Sequence, residues 1–240
     1  MTTLLTMKGF NKKIDYLCFT ANTAGSMISL NRNGSPDAVS LEISTDGFNW
    51  NTYTIGTYIT LSNIWDKVYF RNTGETTKFS LSSSNYYYFY NTAGSSVSAS
   101  GDISYLINKN GTKTLSSSYT FSFLFYWFNL TTPPKIPFTT LSFNCFYYMF
   151  YNCSNLEVLP ELPAQTLANW CYYYMFYRCS KIKLSTTQTG EYQNTYRIPT
   201  TWTGTGWNVN SLAQMFGNTW WTFTWNPTIN TTYYTSNTVV

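Results

Sequence analysis

Five cysteines and a close pair of glutamates are the residues of this chain best placed to do chemistry. Cys145 and Cys153 bracket CFYYMFYNCS, and Cys171 and Cys179 bracket CYYYMFYRCS. Thiols at such spacing would suggest a metal site or a redox pair. The spacing C-x7-C is not one that zinc uses, and the chain contains no histidine. On a helix these thiols would stand about 11–12 Å apart, too far for a disulfide. With Cys18 the count is odd, which argues against a complete disulfide framework. Cys171, Met175 and Cys179 fall instead at i, i+4, i+8, one stripe of a short helix, which predicts helices over 145–152 and 171–178 with buried free thiols. Glu157 and Glu161 offer the paired carboxylates of a glycosidase. One repeat earlier, however, their positions hold Thr131 and Lys135, and one repeat later Lys183 aligns with Glu157, so they read as repeat surface. No catalytic residue, cofactor or metal site is expected, and the chain reads as non-enzymatic.

The elements that carry these residues repeat. At a shift of 26 residues, both cysteines, Met149 with Met175 and Phe150 with Phe176 coincide. One shift earlier, Leu130 falls under Leu156, Pro134 under Pro160, Pro137 under Pro163 and Leu141 under Leu167. This gives three stacked units, and SLAQMFGNT (211–219) reads as an atypical terminal one. Leu156, Val158, Leu159 and Leu162 look like the strand of a unit, which Pro160 and Pro163 end. Stacking would set Tyr147 beside Tyr173, Tyr148 beside Tyr174 and Tyr151 beside Tyr177. Such rows suit protein contacts and sugar rings alike, or serve only to glue neighbouring units together.

Residues 14 to about 98 carry a different texture. IDYLCFTA, SMISLNR, AVSLEIST, FNWNTY, TYITLS, DKVYFRN and KFSLSSS are rich in β-branched and aromatic residues, with turn signals at Asn33-Gly34 and Asp46-Gly47. They predict an antiparallel β-sandwich of immunoglobulin-like appearance without the marker cysteine and tryptophan arrangement. The fold class is therefore mainly β: a sandwich over 1–98, a short leucine-rich-repeat solenoid with a strand and a short helix per unit over 99–185, and a capping segment over 186–240. NTAGSSVSASGD (91–102) reads as the stretch between the two modules.

Composition narrows the partners. Charged residues make up 10 % of the chain and aromatics 20 %, with a net charge of +4. The 14 lysines and arginines are scattered, so no track for nucleic acid appears. No apolar run is long enough to span a bilayer. The opening MTTLLTMKGFNKK lacks a secretory signal, which fits a protein released by lysis. Trp202, Trp207, Trp220, Trp221 and Trp225 lie within 24 residues of one another, an indole density that predicts an assembly contact.

The phrase MFYNCSNLEVLPELPAQTLANWC resembles the leucine-rich repeats of BspA-like surface proteins, in the form met in phages and mobile elements of gut anaerobes. There a Met-Phe-x-x-Cys helix precedes a leucine strand and Pro-Glu-Leu-Pro. The segment 41–72 is similar to the domain that precedes such repeats, and the ending to their terminal cap. Two departures stand out: Tyr119 and Trp127 occupy expected cysteine positions, and Trp220, Trp221 and Trp225 replace small residues. The resemblance implies a bacteriophage virion surface protein, a head decoration or fibre-tip module, with the sandwich as anchor and the repeats displayed for adhesion to host or mucosal glycans or proteins. Its expected partners are other virion proteins and copies of itself, as a trimer by analogy with phage fibres. A bacterial cell-surface adhesin is the alternative, and a carbohydrate-active enzyme a third reading.

Overall fold

The computed structural model describes residues 14–76, 78–197, 201–202, 211–219, 227 and 231–240. The fold is mainly β. Eight strands come first: β1 (Leu17–Ala21), β2 (Ser26–Asn33), β3 (Leu41–Ser44), β4 (Asn51–Thr52), β5 (Ile59–Leu61), β6 (Lys67–Asn72), β7 (Tyr86–Asn91) and β8 (Val97–Ser100). They form a five-stranded sheet, β4-β3-β6-β1-β8, and a three-stranded sheet, β5-β2-β7, with antiparallel pairing throughout. Alternation drives this arrangement. In β6 and β7 every second residue is buried, so Phe70 and Phe89 point inward and meet Phe19 of β1 at centroid distances of 5.8 and 4.7 Å. The two sheets thus face each other as a sandwich around an aromatic core.

Six of the seven expected strands form. KFSLSSS forms none. Asp46-Gly47 lies in the β3–β4 hairpin, whereas Asn33-Gly34 closes no hairpin, because β2 pairs with β5 and β7 while β3 belongs to the other sheet. The stretch 91–102 holds β8, and the boundary expected at residue 98 falls inside that strand. Its small residues hid the alternation: Val97 and Ala99 are buried while Ser100 is exposed.

β8 also joins the sandwich to the stacked segments. Its free edge pairs in parallel with the chain near Leu130, with Thr131 N donating to Val97 O at 3.0 Å and Ala99 N to Thr132 O at 2.8 Å. One continuous cluster of buried apolar residues runs from Leu17 through these segments to Tyr233. Beyond β8 come a 3-10 turn (Ile103–Leu106) and five short strands: β9 (Thr166–Leu167), β10 (Leu184–Ser185), β11 (Asn194–Arg197), β12 (Thr201–Trp202) and β13 (Thr232–Thr235). β9 pairs with β12 in parallel, and β10-β13-β11 is an antiparallel sheet. No strand forms at Leu156–Leu162. Leu156 and Leu159 are buried there at a corner of the coil.

The helices expected over 145–152 and 171–178 are absent. Both segments are ribbons of consecutive turns. A positive φ recurs at every fourth residue: Tyr119, Phe123 and Trp127; Asn144, Tyr148 and Asn152; Trp170, Tyr174 and Arg178; Gln214 and Asn218. Backbone N–H groups alternate between two acceptors. Tyr147 N reaches back to Asn144 O and Met149 N to Phe146 O, closing turns within the ribbon. Tyr148 N and Phe150 N donate across to Tyr173 O and Met175 O at 3.1 and 2.9 Å. Every N–H in this alternation finds a partner without the i to i−4 bonds of a helix. Neighbouring ribbons therefore lie at the spacing of paired strands, about 4.8 Å, whereas packed helices stand about 8–10 Å apart. The i, i+4, i+8 spacing of Cys145, Met149 and Cys153 is the ribbon's four-residue period. It mimics a helical stripe because both geometries bring those side chains to one side.

Candidate functional site

Within each ribbon two residues of every four point inward and two outward. Cys145, Phe146, Met149, Phe150 and Cys153 are fully buried, as are Cys171, Met175, Phe176 and Cys179, and Tyr172 is 1 % exposed. All five cysteines are free thiols. Cys153 Sγ donates to Phe125 O at 2.9 Å and Cys179 Sγ to Phe150 O at 3.0 Å, so these thiols fasten one coil to the previous one. Burial pushes the Cys145 thiol up to about 12 and raises Cys153, Cys171 and Cys179 as well, the reverse of what a reactive thiolate needs. Glu157 faces Lys181 of the next coil, Oε1 to Nζ 2.9 Å, in a polar cleft of about 600 Å³ that also holds the Lys183–Glu191 ion pair. Glu161 does not line that cleft but a smaller one with Lys135 and Val240, so the structure does not bring the two carboxylates into one cleft. Among the described residues no group of three or more histidine, cysteine or acidic side chains could hold a metal, and no helix is long and apolar enough to cross a membrane.

The outward residues build aromatic ladders. Tyr147 stacks on Tyr173 with centroids 5.6 Å apart, Tyr148 on Tyr174 at 4.7 Å and Tyr151 on Tyr177 at 5.1 Å. The preceding coil extends two rows through Phe123, 5.4 Å from Tyr148, and Tyr126, 5.2 Å from Tyr151. The shift between these coils is 25 residues, not 26. Phe121 stacks on Phe146, so Thr120 and Phe128, rather than Tyr119 and Trp127, stand where the cysteines do. An inner ladder of Phe89, Phe125, Phe150, Phe176 and Phe216 runs parallel to the outer rows, its neighbours 5.2 to 5.6 Å apart. Phe216 follows Met215 in 211–219, which forms a fourth ribbon that accepts from Tyr172, Tyr174, Phe176 and Arg178.

These contacts decide what the tyrosine rows offer to a ligand. Tyr148 is covered on one face by Phe123 and on the other by Tyr174. Tyr151 lies between Tyr126 and Tyr177. The last face, that of Tyr177, is closed by Gly217, where an added Cβ would meet the ring at 2.5 Å, while Asn218 Nδ2 donates to its hydroxyl at 2.6 Å. All six tyrosines are half-buried. The rows therefore present ring edges and hydroxyl tips, with the faces spent on stacking. Burial, aided by neighbouring phenols, raises the ionisation of Tyr147 and Tyr148 and pushes Tyr173 up to about 12, so these hydroxyls stay neutral at physiological pH.

The aromatic surface also reaches residues that reading the repeats alone does not include. Tyr86 of β7 stacks on Phe123 at 4.3 Å, which makes the sandwich the first rung of the Tyr148 row. Along β7, Tyr86, Tyr88 and Tyr90 point outward, and Tyr58 meets Tyr90 at 6.4 Å. The period-two pattern NYYYFY carried this signal. Of the expected assembly contact, Trp207, Trp220, Trp221 and Trp225 lie outside the described residues, and Trp202 belongs to β12. No protein-family model, curated protein or solved structure matches the chain.

Proposed function

We propose that this chain is a non-enzymatic bacteriophage virion surface protein of the BspA-like leucine-rich-repeat kind, in which an immunoglobulin-like sandwich carries a stack of repeats used for adhesion. The observation that carries this reading is the tyrosine surface running from β7 across three stacked coils, uncharged apart from Arg178 at its margin. Such a surface, tipped with neutral hydroxyls, suits recognition of an uncharged polar partner without chemistry. The apolar 26-residue spacing of Leu130, Leu156 and Ile182, all buried, supports the repeat assignment. Its partners on the particle are further copies of the chain and neighbouring virion proteins, with Trp202, Trp207, Trp220, Trp221 and Trp225 as the assembly contact. Immunogold labelling of virus particles and bacteria from the source of the sequence, with antibody raised against the purified chain, tests the location. Gold on virions supports the proposal. Gold confined to bacterial surfaces overturns it in favour of a cellular adhesin.

A further inference from the structure

The outer face of the three-stranded sheet holds two tyrosines unlike those of the coils. Tyr58 and Tyr90 are 46 % and 41 % exposed. β2 separates them. Ser29 pairs with Tyr90 on one side, and the β2–β5 register, Ile28 opposite Ile59, brings Tyr58 next to Ser29 on the other. The two rings meet over Ser29 at 67°, edge to face, and Ser29 is fully buried beneath them. Neither ring has a stacked partner among the described residues, so the pair keeps open aromatic face while the coil rows have none. Strand alternation surrounds it with Met27, Asn31, Thr60 and Tyr88, none of which is charged at neutral pH.

We propose that Tyr58 and Tyr90 are a stacking platform for a ring of a neutral carbohydrate. This inference rests on the adhesion reading and names its ligand class. An aromatic face carries negative quadrupole density, which attracts the polarised C–H groups on one side of a pyranose. The hydroxyls at the sugar's rim need donors and acceptors without charge, which Asn31, Thr60 and the phenols supply. An anionic sugar would find no cation on this face. A ligand that stacks cannot use the coil rows, because Phe123, Tyr126, Tyr174, Tyr177 and Gly217 already cover those faces.

The test is titration of the full chain with neutral hexasaccharides of β1,4-glucose, α1,4-glucose and β1,4-N-acetylglucosamine, followed by calorimetry or NMR shifts. At least one should bind the wild type. Tyr58→Ser and Tyr90→Ser should each weaken that binding about tenfold, about 1.4 kcal/mol for a lost aromatic contact, with an unchanged unfolding midpoint. Tyr90→Phe should bind within about threefold of wild type, and Tyr151→Phe with Tyr177→Phe should change little. Binding that survives both serine substitutions overturns the platform and leaves the adhesion reading standing. Absence of binding to all three sugars also overturns the platform. The adhesion reading is then judged on its own by whether the chain adheres to host cells and mucin.

Discussion

Truncating the centre of the inner ladder should remove much of the stack's stability. Phe150 is fully buried, with Phe125 at 5.2 Å and 14° on one side and Phe176 at 5.4 Å and 8° on the other. Phe150→Ala removes a large buried side chain, a change that costs about 3–5 kcal/mol, of which each stacked pair accounts for about 0.5–1.5 kcal/mol. The upper part of that range is expected here. Phe125 N to Met149 O at 2.8 Å and Phe150 N to Met175 O at 2.9 Å pin the ribbons on both sides, so the cavity cannot collapse. Because such a loss approaches the whole stability of many domains, Phe150→Leu serves as the milder variant, with about 1–2 kcal/mol lost and a melting temperature lower by about 3–8 °C. Urea titration followed by near-ultraviolet dichroism reads both. If Phe150→Ala costs less than about 2 kcal/mol with a cooperative transition retained, the ladder is not a rigid element and the reasoning fails.

Further outcomes rest on the same contacts. Gly217→Ala should cost about 1–3 kcal/mol, because its Cβ would meet Tyr177 at 2.5 Å and Gln214 Oε1 at 2.7 Å while the Tyr151 stack and Asn218 hold the tyrosine in place; thermal melts would reveal it. Stability should fall as pH rises above the ordinary thiol value of 9.0: Cys145, raised to about 12, stays protonated in the fold while the unfolded chain releases its proton, and Cys153, Cys171 and Cys179 act in the same direction. Each raised thiol costs about 1.4 kcal/mol per pH unit across that window; urea midpoints at pH 8 and pH 10 would measure the slope. Trp65→Asn should be neutral or stabilising by up to about 1 kcal/mol, since Trp65 is 74 % exposed at φ 75 and loses little burial when replaced by a residue that tolerates that conformation.

The sandwich was legible because its strands alternate large apolar residues with polar ones, as in KVYFRN and YYYFYN. β8 was not, because V-S-A-S alternates between small residues whose hydropathy differs little. The ring pairs of the coils were readable from the constant 26-residue shift, which needs no knowledge of backbone conformation. The backbone itself misled. The buried set Cys145, Phe146, Met149, Phe150 and Cys153 fits a helix face and a four-residue turn ribbon equally well. Asn144, Asn152 and Asn218, at positive φ, are the residues whose type tolerates that conformation best, and they were the available clue. The Tyr58–Tyr90 pair depends on sheet order, since residues 58 and 90 meet only because β2 lies between β5 and β7.

Stacking of the repeats as hydrogen-bonded ribbons consumes the ring faces of their tyrosines and leaves edges for display. Through-hydrogen-bond couplings between amide nitrogen and carbonyl carbon, measured by NMR on labelled protein, probe that stacking bond by bond. Cross-peaks should link Tyr148 N to the Tyr173 carbonyl, Phe150 N to that of Met175 and Phe125 N to that of Met149. Cross-peaks from Met149 N to the Cys145 carbonyl and from Phe150 N to that of Phe146, the i to i−4 pattern of a helix, would contradict the ribbon and, with it, the conclusion about what the tyrosine rows can bind.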